Sequence, residues 1–216
     1  MVKNVFTACL GMAVLISCTQ CKKMDSDGVM LESHDANIFM KIMHQSMDSM
    51  MNMTGMSHDP DHDFARMMKM HHMGAVEMAD KVIAIGNDVT IKAIATKMKV
   101  AQMREIAQLD SFTNAHTAMM DMNTGLKFME ESDMAMKKMM AANDLRPLTG
   151  KADFDFSQLM VDHHQSAIEM AESIMKYGDV PFITNMAMMM KKDQQMEIKE
   201  MQDWMLKNRP YGSGGH

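Results

Sequence analysis

Sliding the sequence along itself by 92 residues pairs 61–112 with 153–204 without a gap, and eighteen of the fifty-two paired positions are identical. DHDFARMMKMHHMGAVEMAD in the first copy meets DFDFSQLMVDHHQSAIEMAE in the second. Further on, Gly86/Gly178, Ile91/Ile183, Ala95/Ala187, Met98/Met190, Gln102/Gln194, Glu105/Glu197 and Ile106/Ile198 coincide. Within a unit, Phe64, Met67, Met68, His71, Ala75, Met78, Ala79 and Val82 recur at spacings of three and four, the period of a helix, and no strand-like alternation appears. Gly86 and Gly178 are stop signals for the first helix of each unit. Asp61 and Asp63 offer an N-cap, and Pro181 suits the start of the last helix. A helical hairpin cannot bury its apolar stripe alone. Two copies therefore predict an all-α chain, an antiparallel four-helix bundle whose second and third helices are joined by a long crossover.

Around the repeats (59–112 and 151–206) lie segments of other character. Residues 1–17 place a lysine before an apolar run too short to cross a bilayer, the pattern of a secretory signal. Leu15, Ile16, Ser17 and Cys18 resemble a bacterial lipobox, which predicts cleavage before Cys18 and acylation of its thiol; a plain signal peptide or an uncleaved anchor is the alternative. The expected location is the bacterial envelope, as a periplasm-facing or outer-membrane lipoprotein. Cleavage would leave Cys21 without a disulfide partner. Residues 18–32 read as a tether, 33–58 as a Met/His-rich segment with a helix over 37–52, and 113–150 as a Met-rich crossover with a helix near 127–142. Residues 207–216 form a Gly-rich tail. A net charge of −6 argues against nucleic acid as a partner.

Thirty-six residues are methionine and ten are histidine. A core does not need so much Met, a flexible gap-filler that specifies packing less well than Leu or Ile. A thioether is, however, a soft uncharged donor suited to Cu(I) and Ag(I), and imidazole extends the range to Cu(II). Met40, Met43, His44, Met47 and Met51 fall on one helical face, away from Ile38 and Ile42, and form the first candidate site. His116, Met119, Met120 and Met122 form a second, in the crossover, and Met129, Met134, Met136, Met139 and Met140 a third. On the first repeat helix, His62, Met70 and Met73 lie on the polar side, where water gives no reason for a thioether. The alternative for the first segment is an amphipathic Met-rich helix docked on the bundle.

Helical projection puts His71 near the centre of the apolar face and His72 at its edge, and His163 and His164 repeat this. Gln102, Glu105, Gln194 and Glu197 also point inward. Left unpaired, such groups cost about 1–3 kcal/mol each, so they are expected to meet near the bundle axis. A hydrogen-bond network and a metal site are both open readings of that cluster.

The doubled pattern FARMMKMHHMGAVEMA and FSQLMVDHHQSAIEMA, with QMREI and QQMEI downstream, resembles the ferritin-like family DUF305, which includes CopM-type copper-binding proteins of bacterial envelopes. The resemblance implies a ferritin-like four-helix bundle and, for CopM-like members, copper binding and resistance. It carries His71, His72, His163 and His164, followed by Met78 and Met170, as candidate metal residues. The expected function is sequestration or transfer of Cu(I), with Ag(I) and Cu(II) as alternatives, by a non-enzymatic protein held at a membrane by its lipid and partnered by a copper exporter or chaperone. A Met-rich interaction module without metal is the alternative. A ferritin-like di-metal oxidase is a third reading, but the chain has no Glu-x-x-His motif.

Overall fold

The computed structural model describes residues 31–209, which form six helices. α1 is Ile38–Met51, α2 Pro60–Ile85, α3 Val89–Ala115, α4 Met122–Asp144, α5 Ala152–Tyr177 and α6 Pro181–Lys207. The repeats are the hairpins α2–α3 and α5–α6, which pack with α2 antiparallel to α5, so the fold is an all-α bundle as the duplication requires. α1 lies on α2 and α4 lies on α5, so α2 and α5 are covered from two sides.

Local chemistry sets the boundaries. Asn37, Asp59, Asp88 and Asp121 cap α1 to α4, each side chain accepting from two backbone N–H groups of the first turn. Asp59, followed by Pro60 at the first helical position, is the cap of α2; Asp61 and Asp63, expected there, do other work. Asp61 Oδ2 accepts from the N–H groups of Asp179 (2.9 Å) and Val180 (3.4 Å) in the turn of the other hairpin. Its counterpart Asp153 accepts from Asn87 (2.8 Å) and Asp88 (3.1 Å). The hairpins thus clasp each other reciprocally. Gly86 and Gly178 make room for the clasp: a Cβ on Gly178 would stand 2.7 Å from Asp61 Oδ1, and one on Gly86 would meet Asp153 Oδ1. The second aspartates tie down the segments that enter the hairpins. Asp63 accepts from Ser57 and His58, and Asp155 from Thr149, Gly150 and Asn37.

α4 begins five residues before the expected 127. Gly125 weakens the helical pattern there, yet it lets α4 cross the backbone of His58, whose carbonyl carbon lies 2.8 Å from where a Cβ would stand. His58 itself has a positive φ of 59°.

The core has two apolar halves. One gathers Phe64, Met68, Leu109, Phe128, Ile174 and Ile183; the other gathers Phe39, Val82, Ile91, Phe156, Leu159 and Met201. Each such side chain contributes about 1.5–3 kcal/mol by leaving water. Between the halves lies a polar layer of His71, His72, His163, His164, Gln102, Gln194, Glu105 and Glu197, at the midpoint of the repeat helices.

Candidate metal centre

The four histidines of the polar layer divide into two kinds. His72 Nε2 donates to Glu105 Oε2 at 2.9 Å, and His164 Nε2 donates to Glu197 Oε2 at 2.9 Å. Both rings are fully buried, which corrects the placement of His72 at a helix edge: α3 and α6 cover this side. His71 and His163 face the other way and meet each other, with ring centroids 3.7 Å apart. The inward groups therefore do not form one axial cluster; they form two His–Glu pairs and one His–His contact.

Beside His71 and His163 is a narrow cavity of about 10 Å³, roughly the room of one water-sized centre. Six methionines line it: Met43, Met47 and Met50 from α1, Met78 from α2, and Met136 and Met139 from α4. Ser46 and Gly74 complete the wall. All six thioether side chains are buried. The cavity exists because α1 and α4 each turn a methionine face toward the α2–α5 pair. Met43, Met47 and Met50 are spaced four and three apart, one stripe of a helix.

The electrostatics keep the two imidazoles neutral. Burial, reinforced by the rings of His163, His72 and His164, holds His71 well below the usual histidine range; burial, with His164 and His72, does the same for His163. Ser166 fixes the His71 tautomer. Its hydroxyl lies 2.7 Å from the His163 carbonyl and spends its proton there, so Ser166 Oγ accepts from His71 Nε2 at 2.9 Å. His71 Nδ1 is then an unprotonated lone pair, and neither His71 Nδ1 nor His163 Nδ1 has a hydrogen-bond partner. Asn143 Nδ2 donates to Met43 Sδ at 2.7 Å, and Ser166 Oγ lies 3.2 Å from Met139 Sδ. Among the described residues no three His, Cys, Asp or Glu side chains converge.

The other candidate residues are dispersed. Met40 packs in the apolar core beside Phe39, so with Met43 and Met47 it faces inward with Ile42, not away from it; the face expected to be separate is the docking face of α1. His44 is outside, its Nε2 3.5 Å from Asp144, and Met51 is 56% exposed. Met170, the repeat partner of Met78, is buried in the core away from the cavity. Met70 and Met73 line a surface hollow with Glu77. His62 and His116 approach to 6.4 Å between ring centroids; His116 donates to Asp59 Oδ2 at 2.9 Å and stacks on Phe112 at 4.6 Å, while Met119 and Met120 are exposed. Cys18 and the leader lie outside the described residues. The first and third methionine groups of the sequence meet at one place, and the second does not join them. Met50, Ser46 and Ser166 were missed; the three-residue step from Met47 to Met50 was the available signal for the first.

Residues 61–205 match the family described as Domain of unknown function (DUF305). Among solved structures, a candidate secreted DUF305 protein from Streptomyces coelicolor is 23% identical, with a TM-score of 0.57, over 74% of this chain and 100% of that one. A DUF305 fragment from Deinococcus radiodurans is 19% identical, with a TM-score of 0.51, over 68% of this chain and 96% of that one. No curated protein matches the chain.

Proposed function

This chain belongs to the DUF305 family, and from that premise we propose that it is a copper-binding protein that holds Cu(I), with Ag(I) as its closest chemical substitute, in the cavity between α1, α2, α4 and α5. One observation carries the reading: six thioethers and two neutral imidazoles line one narrow cavity of about 10 Å³. Thioether and imidazole are the donors a low-coordinate soft cation accepts, and a singly charged ion suits a wall with no carboxylate. Packing alone gives weaker grounds, because Leu or Ile would fill the space with better-defined rotamers. An unpartnered buried imidazole nitrogen costs about 1–3 kcal/mol, which a bound cation would recover.

His71 and His163 would supply nitrogen, Ser166 would hold the His71 ring in place, and the six methionines would supply sulfur as geometry demands. Storage or transfer outside the cytoplasm fits such ligands, since a thioether is not lost to disulfide formation. We place the protein in the envelope, tethered through Cys18 and exchanging copper with an exporter or chaperone. The Streptomyces relative's description as a candidate secreted protein supports export, and among the described residues no helix is long and apolar enough to cross a membrane.

The test is anaerobic competition for Cu(I) against a chromogenic chelator, with the parent beside a Met43, Met47 and Met139→Leu variant. Leu keeps most of the packing and removes sulfur. The parent should hold one tight equivalent that the variant loses. A tight equivalent retained in the variant would refute the site, and no competition by the parent would refute copper binding.

A further inference from the structure

The methionines and histidines that line the central cavity are buried, so an ion must pass between side chains to reach it, and the structure offers two hollows that share its wall. One, lined by Met70, Met73 and Glu77, meets the cavity at Ser46 and Gly74. That seam is shut by packing, since Ser46 Cβ lies only 2.9 Å from where a Cβ on Gly74 would stand. The other hollow has a volume of about 160 Å³ and meets the cavity at Met50 and Met136. Its remaining apolar lining consists of Met51, Met53, Met56, Met67 and Met129, contributed by the end of α1, the segment after it, α2 and α4. Every apolar side chain around this chamber is therefore a methionine, although methionine makes up only about a third of the chain's apolar residues. Asp133 is its one charged residue, ion-paired with Lys137 at 2.6 Å. Met51 is exposed and Asp133 half-buried, which opens the chamber to solvent, whereas Met50 and Met136 are buried at its inner wall.

We propose that this chamber is a second soft-cation site that receives Cu(I) from solution and passes it to the central cavity. The proposal rests on the reading of the central cavity as a Cu(I) site. Met50 and Met136 belong to both linings, so an ion can exchange outer thioethers for inner ones without leaving sulfur. Each thioether released is replaced by a thioether or imidazole gained, and the copper keeps its charge and its electrons, so no oxidant or reductant is needed. The unbranched side chain of Met, with three rotatable bonds and a polarizable sulfur, suits such exchange. Met129, Met53 and Met56 touch only the chamber and not the cavity, which makes the two sites separable by substitution.

The test uses the full soluble chain and Cu(I) delivered anaerobically from a weak chromogenic chelator, followed by stopped flow and by equilibrium titration. In a Met53, Met56 and Met129→Leu variant, the tight equivalent should remain at unchanged affinity, one weaker equivalent should vanish, and filling of the tight site should slow tenfold or more. Equal filling rates and equal stoichiometry in parent and variant would overturn the proposal. Should the triple variant melt early, Met53→Leu and Met129→Leu singly carry the same readouts, each with a smaller slowing. Failure of the central reading looks different. It appears as loss of the tight equivalent from the parent, or as its survival in the Met43, Met47 and Met139→Leu variant. The weaker equivalent, missing only from the chamber variant, then decides the chamber by itself.

Discussion

Acidifying the metal-free protein from about pH 7.5 to about pH 5.5 should cost the fold about 3 kcal/mol through His71 and His163 alone. Both imidazoles are fully buried and held well below the usual histidine range, by burial first and by neighbouring histidine rings second. The unfolded chain takes up a proton on each as the pH falls through about 6.5, and the folded chain does not. Their contribution to stability is therefore complete above that pH and is lost on the acid side, at about 1.4 kcal/mol per pH unit for each ring. The groups near them from α2 and α5 are His72, His164 and Ser166, whereas α1 and α4 present methionines and Ser46, so no carboxylate stands ready to stabilise an imidazolium. Asp61 and Asp155, raised by burial, act in the opposite sense at lower pH, and Asp59 is lowered chiefly by hydrogen bonds that outweigh its burial. Those carboxylates remain in every variant and cancel in a difference. Urea unfolding of the parent and of His71→Gln/His163→Gln at both pH values isolates the two rings. The parent should lose about 3 kcal/mol more than the variant over this range. Equal losses would refute the assignment of two buried neutral imidazoles. Cu(I) affinity should stay flat over the same interval, because the folded imidazoles have no proton to displace and thioethers do not titrate; a tenfold fall per pH unit would point instead to exposed histidines as the ligands.

Two further outcomes concern the frame around the cavity. Asp61→Ala and Asp153→Ala should each cost about 1–2 kcal/mol, since each strips the acceptor from two N–H groups in the opposite hairpin's turn. The clasps lie at opposite ends of the bundle, so the double variant should show an additive loss in urea unfolding, and a neutral single variant would refute the clasp. Gly125→Ala should destabilise even though Ala is the better helix former by about 1 kcal/mol, because its Cβ would run into the His58 backbone; a raised urea midpoint would contradict that packing.

The hairpins were legible because the duplication repeats both the apolar period and the glycine stops. The caps were partly legible: Asp59 before Pro60 outranked the Asp61 and Asp63 that composition suggested, since a proline at the first helical position fixes the start. The environment of α2 and α5 was not legible. A helical projection assumes one buried face and one wet one, but two faces are covered: α3 and α6 close over His72 and His164, and α1 and α4 over His71 and His163, so His72 is as buried as His71 and the two look in different directions. Glu105 and Glu197 were correctly turned inward, but which histidine each would meet depends on the crossing of helices that no spacing encodes. On α1, the methionine stripe was visible and its destination was not. Met40, Met43 and Met47 pack inward while His44 and Met51, counted on the same face, remain outside.

The duplication supplies a pair of everything the site needs from the bundle, yet the cavity is single and lopsided. His71 and His163 both reach it, whereas of the paired methionines only Met78 does. The cause is what covers each copy. At position 74 the first repeat has glycine, which lets Ser46 of α1 come close; at the matching position the second has Ser166, which holds His71 and touches Met139 of α4. Three of the six thioethers come from α1, and α1 lies before the stretch that matches the family. The family part of the chain, residues 61–205, therefore brings the two neutral imidazoles, Met78, Met136 and Met139, and leaves half of the sulfur to a helix outside it. The bundle and its polar layer thus lie within the stretch that matches the family, and on the proposed Cu(I) reading the docking of α1 supplies more of the sulfur than the repeat, which contributes Met78 alone.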